Sequence, residues 1–382
     1  MPPLTAFSTQ SLPTQTRLWL LALGLVWWTS GCVDTRLPDL SADYGPERTA
    51  AAYCTTDVLA SFPPEELRIH IIDVGQGDAI FVQTPWFDDR FAESRSVLVD
   101  AGPSGGVEGT VDGGAVVTNY LLSQGLQFGD ILHALVVTHA HDDHFGGVAT
   151  VFAAFEVGAY VDPGFAGGSQ SFLATRALAE DRVRSVNGRI ARPAVPALAP
   201  AVFRAVDLFG PMVKATLIWA ASTPLGGDAD HPTSTDVNNT SVAFALQWGG
   251  RQVLLLGDVE SLVEAQLVAA HDAGEINLQS AFIKVAHHGS ESSSSAAFLA
   301  RVFPRAGNED WAVISSGRRT FGGGSTLPAV GTLARLKGAL EPYHVLSTEN
   351  GDGDKAPGTE HNDDHILVRI QADGLIEACY VP

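Results

Sequence analysis

The chain of 382 residues reads as an α/β protein in which two sheets pack together with helices outside. Three observations lead there. Short apolar runs rich in Val, Ile and Leu recur along it, most of them five to eight residues long and closed by turn signals, which is the length and punctuation of strands. Stretches with helical spacing of apolar residues lie between some of them. Strands come first, then strand and helix alternate, then strands return. A doubly wound sheet would satisfy the same propensities, so the placement of ligand-type residues has to separate the two.

Composition sets the limits. The chain is 45% hydrophobic and 17% charged, with a formal charge of -20. That is globular composition, and a surface this acidic repels a phosphate backbone, so nucleic acid is a disfavoured partner.

Taken in order, residues 1–32 read as a signal peptide. Arg17 precedes the apolar run "LWLLALGLVWW", which ends in "TSGC"; eleven apolar residues are too few to span a bilayer. The small residues before Cys32 resemble a bacterial lipobox, which predicts export and a lipid anchor on Cys32 at the membrane, facing periplasm or cell exterior; an ordinary signal peptide is the alternative. Its removal takes Arg17 and leaves 22 basic against 43 acidic residues, a net -21. Residues 33–64 read as a tether and lead-in segment, polar and without periodicity. Cys54 and Cys379 then remain, either a disulfide, as an oxidising compartment favours, or two buried thiols.

Residues 65–382 form the folded domain. Its strands are expected at "LRIHIIDV", "DAIFVQT", "SVLVDAG", "HALVVTH", "VAFALQW", "QVLLLGD", "AFIKVAHH", "WAVISSG" and "HILVRI". Helices are expected at "GAVVTNYLLSQG", "VATVFAAFEV", "SLVEAQLVAAHDAG", "SAAFLARVF" and "AVGTLARLKGAL". Two stretches read as insertions: 164–211, Ala- and Pro-rich with one helix, and the polar, Gly-rich 351–364.

The chemistry concentrates in "VVTHAHDDHFGG", Val136 to Gly147. His139 and His141 are two apart at a strand end, so both point the same way. Asp143 and His144 lie at the turn into a helix and can face the same point from the other side. Imidazole and carboxylate suit zinc-like ions, and Gly146 and Gly147 allow close backbone packing beneath the loop.

This pattern resembles the metallo-β-lactamase superfamily. "DVGQGDAI", "LVDAGP", "NNTSVAFALQWGGRQVLLLGDVE" and "IKVAHHGSESSSSAAFL" are similar to the branch holding the soluble domain of ComEC-like DNA-uptake proteins and exported phosphorylcholine-esterase-like hydrolases. The resemblance implies a four-layer αββα sandwich binding two divalent ions, zinc or manganese. It implies that His139 and His141 hold the first metal, that Asp143 and His144 hold the second, and that Asp258 bridges them. One of His287 and His288 completes the second site, with His288 the favoured ligand, while the other faces substrate or supports the ligands. Lys284 either sits near the site or has a solvated end. Two departures stand out. His231 is the only histidine between the opening cluster and Asp258, and it either supplies a third ligand to the first metal or lies in a solvated loop. Asn238 and Asn239 stand where that ligand usually precedes the strand. Relatives also carry a histidine where this chain has "FGGGSTLP". "HNDDH" near the C-terminus reads as a solvated loop.

The expected activity is metal-dependent hydrolysis, with Asp143, Asp258 and His287 around a metal-bridging hydroxide. A small phosphodiester is the expected substrate. Lactone or β-lactam hydrolysis, or a tethered metal-binding domain without catalysis, are the alternatives.

Overall fold

The computed structural model describes residues 53–60, 62–86, 94–105, 112–193, 203–204, 208–305, 310–317, 326–348 and 365–381. The signal segment with Cys32, the tether before residue 53, the 351–364 insertion, most of "HNDDH" and residues 321–325 lie outside them. Among the described residues no helix is long and apolar enough to cross a membrane.

Eight strands make the first sheet, in the spatial order Ile376–Tyr380, Ile366–Gln371, Glu66–Ile71, Ile80–Gln83, Ser96–Val99, Ala134–Val136, Ala159–Val161 and Arg189–Ala191. Seven make the second, in the order Val345–Ser347, Trp311–Ile314, Phe282–Lys284, Arg251–Leu255, Ala243–Trp248, Lys214–Trp219 and Phe203–Arg204. Strands joined by tight hairpins are antiparallel and those joined by the longer helical crossovers are parallel, except that Lys214–Trp219 and Ala243–Trp248 are antiparallel across a connection holding the short helix Ser234–Asn238.

Side-chain alternation sorts the core into layers. Leu67, Ile69, Ile71 and Val97 of the first sheet pack against Phe244, Leu246, Val253 and Phe282 of the second. The opposite face of the first sheet, with Phe81, Leu98 and Leu135, buries the helices Gly113–Ser123, Val148–Ala154 and Gln170–Ser185. The outer face of the second, with Leu254, Ile283 and Ala312, buries Ser261–Asp272, Ala296–Val302 and Val330–Ala339. Both sheets are covered on both faces, so strands such as "LVV" and "VLLL" are apolar throughout. This is the expected four-layer αββα sandwich.

Several strands escape the sequence pattern. Ala159–Val161 and Val345–Ser347 have three residues each and Lys214–Trp219 opens on a charge, so neither length nor alternation marks them. The 164–211 stretch holds the expected helix, Gln170–Ser185, and also Arg189–Ala191, which extends the first sheet by one parallel strand.

The lead-in segment is docked from Tyr53 onward. Tyr53 bridges Tyr380 in parallel, the Cys54 amide donates to the Tyr380 carbonyl at 2.7 Å, and Cys54 and Cys379 are joined by a disulfide. The bridge spans 325 residues of sequence, so the chain-entropy model credits it with on the order of 5 kcal/mol. Denaturant unfolding with and without a reductant measures this: reduction, or Cys54→Ala with Cys379→Ala, should lower the midpoint substantially. An unchanged midpoint contradicts a stabilising bridge.

Candidate metal centre

The polar residues collect at the carboxyl ends of the strands Ser96–Val99, Ala134–Val136, Arg251–Leu255, Phe282–Lys284 and Trp311–Ile314. Asp100, fully buried just after its strand, organises the first loop. It accepts from the Thr138 amide at 2.7 Å, the Thr138 hydroxyl at 2.7 Å and His144 Nδ1 at 2.8 Å. The Thr138 carbonyl accepts from the Val242 amide at 2.9 Å, tying this loop to the second sheet. A Cβ at Gly147 would collide with the Ala101 carbonyl and the backbone of Gly114, and one at Gly146 with the Ser104 amide. The two glycines permit the close packing expected beneath the loop.

Around Asp258 the structure brings together most of the expected ligands. Its Oδ2 lies 3.3 Å from both His144 Nε2 and His288 Nε2 and 3.9 Å from His139 Nε2. Asp143 Oδ2 is 3.5 Å from His288 Nε2, and His141 Nδ1 is 3.0 Å from His139 Nε2. His139, His144, His288 and Asp258 are buried, while His141 and Asp143 are partly exposed, which leaves the cluster open on one side.

The donor set fits divalent ions. His144 donates from Nδ1 to Asp100, and His288 donates from Nδ1 to the Ser315 carbonyl at 2.9 Å. Each neutral ring therefore presents a bare Nε2, and the two face one another at 3.3 Å. Two lone pairs at that separation repel unless a cation or a proton lies at them. Asp258 Oδ1 is also buried without a hydrogen-bond partner among the described residues. Burial favours the neutral forms, but the charges of Asp258 and Asp100 outweigh it and hold His144 well above its ordinary pKa. Asp258 and Asp78 do the same for His288. Burial likewise works to raise Asp258, yet His288 and His144 hold it well below the carboxylate range. His139, with desolvation dominant, is pushed well down. The pocket is built for positive charge.

Of the two neighbouring histidines, His288 is the cluster member. His287 turns aside: Nε2 is 3.3 Å from Asn238 Nδ2 and Nδ1 is 3.5 Å from Glu260 Oε1. Both have left-handed backbone, φ 49° and 52°, a local arrangement that aims adjacent side chains apart. Lys284 has no solvated end. It is fully buried, with Nζ 2.5 Å from Asp78 Oδ2, and Asp78 Oδ1 is 3.3 Å from His288 Nδ1.

His231 is not brought to the cluster, which corrects its inclusion among the expected ligands. Its side chain is 87% exposed and faces Asp228 at 3.2 Å. The reason is local: Thr233 and Asp236 form a capping box that starts the short helix Ser234–Asn238, and His231 lies in the loop before it. Asn238 instead reaches inward, with Nδ2 donating to Glu260 Oε1 at 2.7 Å. Asp78, Asp100 and Glu260 escaped the sequence reading. Asp78, Asp100 and Glu260 lie inside "DVGQGDAI", "LVDAGP" and "NNTSVAFALQWGGRQVLLLGDVE", so a signal existed for all three.

Two outcomes follow. His288→Ala or His141→Ala should lower bound zinc, measured by elemental analysis after dialysis, whereas His231→Ala should leave the stoichiometry unchanged; loss of an ion in His231→Ala contradicts the exposed placement. Metal uptake should also release protons. His144 and His288, held protonated above their ordinary pKa in the metal-free chain, must yield Nε2 to the ion. Affinity should therefore rise with pH until the raised pKa values of His144 and His288 are passed and level off above them, and calorimetry in buffers of different ionisation enthalpy reads the protons directly. A proton-independent enthalpy rules the arrangement out.

Comparison with known proteins places the chain in a family. The chain is 26% identical over 289 residues to ComE operon protein 3 of Bacillus subtilis (strain 168), a match covering 71% of this chain and 31% of that protein's length. Among solved structures it is similar to a metal-dependent hydrolase of the beta-lactamase superfamily (11% identity, TM-score 0.38, covering 73% of this chain and 94% of the other). It is also similar to Zn(2+)-bound PqqB from Methylobacterium extorquens (13% identity, TM-score 0.35, covering 73% and 97%). Residues 72–307, more than half of the chain, match the family model described as the metallo-beta-lactamase superfamily, and the chain belongs to that superfamily.

Proposed function

We propose that this protein is an exported, metal-dependent hydrolase that cleaves a small phosphodiester. The observation that carries the reading is the convergence of His139, His141, Asp143, His144, Asp258 and His288 on one partly open pocket, with the rings of His144 and His288 locked by Asp100 and the Ser315 carbonyl. Divalent ions held by these residues would supply a hydroxide near neutral pH and offset charge on a phosphoryl oxygen. The chain's own part is orientation. Asp258 reaches three imidazoles with one oxygen, so it sets the spacing of the ligand groups. Ser292 Oγ lies 3.3 Å from His287 Nδ1 and Asn238 Nδ2 3.3 Å from its Nε2, with Glu260 Oε1 3.5 Å from Nδ1, which holds that ring at the side of the cluster.

Charge supports a small substrate. A mature chain at -21 repels long polyanions, whereas a small or zwitterionic diester carries little net charge. A second reading, metal binding without catalysis, draws on the placement of His231 away from the cluster, which leaves the His139–His141 pair with fewer ligands. The short apolar run and "TSGC" support export and anchoring through Cys32.

The test is a panel of chromogenic aryl phosphodiesters, lactones and β-lactams against zinc- and manganese-loaded protein. Diester cleavage should appear with metal and disappear with chelator. DNA cleavage should be slower and should increase as salt rises from very low values, because screening relieves repulsion; a basic-groove nuclease would lose affinity instead. Lactone or β-lactam opening without diester cleavage replaces the substrate, and bound metal without turnover favours the second reading. In a bacterial host, Cys32→Ser should abolish lipid labelling and release the protein from membranes. A soluble, unlabelled wild type removes the anchor.

A further inference from the structure

The short helix Ser234–Asn238 lies against the ligand cluster. Its first and last residues are four apart and share one face, and each meets a histidine there. Ser234 Oγ lies 3.4 Å from His141 Nε2, and Asn238 Nδ2 lies 3.3 Å from His287 Nε2. The backbone of Asn238 is tied to the cluster as well. Its carbonyl accepts from the Ser241 amide at 3.0 Å and from the Ser241 hydroxyl at 2.7 Å. That same hydroxyl oxygen accepts from the Asp258 amide at 3.0 Å and lies 3.4 Å from His139 Nδ1. One serine therefore joins Asn238 to both His139 and Asp258.

The carboxamide of Asn238 is oriented by its partner. The Glu260 carboxylate only accepts, so the end that reaches it at 2.7 Å is Nδ2. Oδ1 is the end left over. Asn238 is 1% exposed, and its Oδ1 is buried without a hydrogen-bond partner among the described residues. Buried polar atoms are normally paired. Asp258 Oδ1 is in the same condition, and both atoms are acceptors, so what each lacks is a donor or a cation.

The side of the cluster nearest Ser241 is the one short of ligands. His139 Nε2 and His141 Nδ1 lie 3.0 Å apart. Asp258 Oδ2 is 3.9 Å from His139 but 3.3 Å from His144 and His288, so it is shared with the other side. His231 faces solvent. A hydrolytic zinc usually has three protein ligands of its own beside its water, and this pair has two.

We propose that Asn238 Oδ1 is the missing ligand and completes the first metal site with His139, His141 and the shared Asp258. The assignment rests on metal binding by the cluster and not on the phosphodiester substrate. Burial agrees with it, because a ligand atom is covered by the ion that it holds; His139 is fully buried too, and the open side lies at His141 and Asp143. A neutral carbonyl-type oxygen suits harder ions such as manganese better than imidazole does. The first ion is therefore the more loosely held of the two.

The experiment titrates zinc, and separately cobalt(II), into metal-free wild type, Asn238→Leu and Asn238→Asp. Competition with a chromophoric chelator gives the number of ions and the affinity of each, visible absorption of cobalt reports its ligands, and circular dichroism checks the fold. Both variants lose the donor to Glu260, and only Asn238→Asp keeps an oxygen in place of Oδ1. Wild type should take two ions. Asn238→Leu should keep the tighter one and hold the looser one at least about tenfold more weakly, the scale of losing even a group that supports a ligand, with an altered cobalt spectrum. Asn238→Asp should hold both. Two ions at wild-type affinity in Asn238→Leu overturn the assignment, and ordered water would then satisfy Oδ1. Equal loss in both variants overturns it as well, because the donor to Glu260 would then be what matters. Should Asn238→Leu fail to fold, Asn238→Ala, which adds no bulk, makes the same comparison. Wild type with fewer than two ions also overturns it. Loss of the ion in Asn238→Leu while wild type ignores aryl diesters keeps the assignment and rejects only the phosphodiester substrate.

Discussion

Buried negative charge is the constraint around which the molecule is organised. Asp78, Asp100 and Asp258 are each at most 2% exposed, and a carboxylate removed from water is strongly unfavourable unless it is paired and hydrogen-bonded. Each has its own solution. Asp100 takes two donors from Thr138 and one from His144. Asp78 takes the Lys284 ammonium. Asp258 faces His144 and His288 and keeps one oxygen unpaired. Asp100 is a closed structural solution, whereas Asp78 and Asp258, both beside the imidazole of His288, each keep one buried oxygen without a hydrogen-bond partner among the described residues.

The same interactions join the two halves of the sandwich. Apolar burial between the sheets is extensive but non-directional, so it does not by itself align one sheet's loops with the other's. The directional contacts do: Val242 to Thr138, Lys284 to Asp78, Ser315 to Gly77 and His288 beside Asp143. Ligands drawn from both sheets hold a fixed spacing only because these links cross the seam at the same edge.

Strain is concentrated there as well. Two successive non-glycine residues, His287 and His288, adopt left-handed backbone, at roughly 1–2 kcal/mol each. The following loop is pinned on several sides. Glu264 accepts from the amides of Ser294 and Ser295 at 2.5 and 2.8 Å, and Arg335 donates to the carbonyls of Ser293 and Ser294 at 3.0 and 2.9 Å. Ser293 Oγ reaches back to the Ala286 carbonyl at 2.8 Å. The serine-rich run after "HHG" thereby acts as scaffolding, with backbone groups tied to helices of the outer layer.

The sequence by itself determined the layered α/β class, the principal strands and helices, and the gathering of His139, His141, Asp143 and His144, because each rests on local spacing; Asp258 and the histidine pair entered through the family resemblance. Alternation places His139 and His141 on one side of a strand end, and glycines at 146 and 147 announce a close approach. It did not determine the short strands Ala159–Val161 and Val345–Ser347, whose existence depends on neighbours already in the sheet. The choice between His287 and His288 was open until the backbone turned left-handed. His231 lay in the right interval of sequence and yet in the wrong place, since a capping box twenty-five residues before Asp258 directs the chain away from the cluster. Whether Cys54 meets Cys379, whether Lys284 is buried, and which amide is left without a partner were likewise decided by tertiary structure alone. These are relations between groups far apart in sequence, and only packing sets their distance.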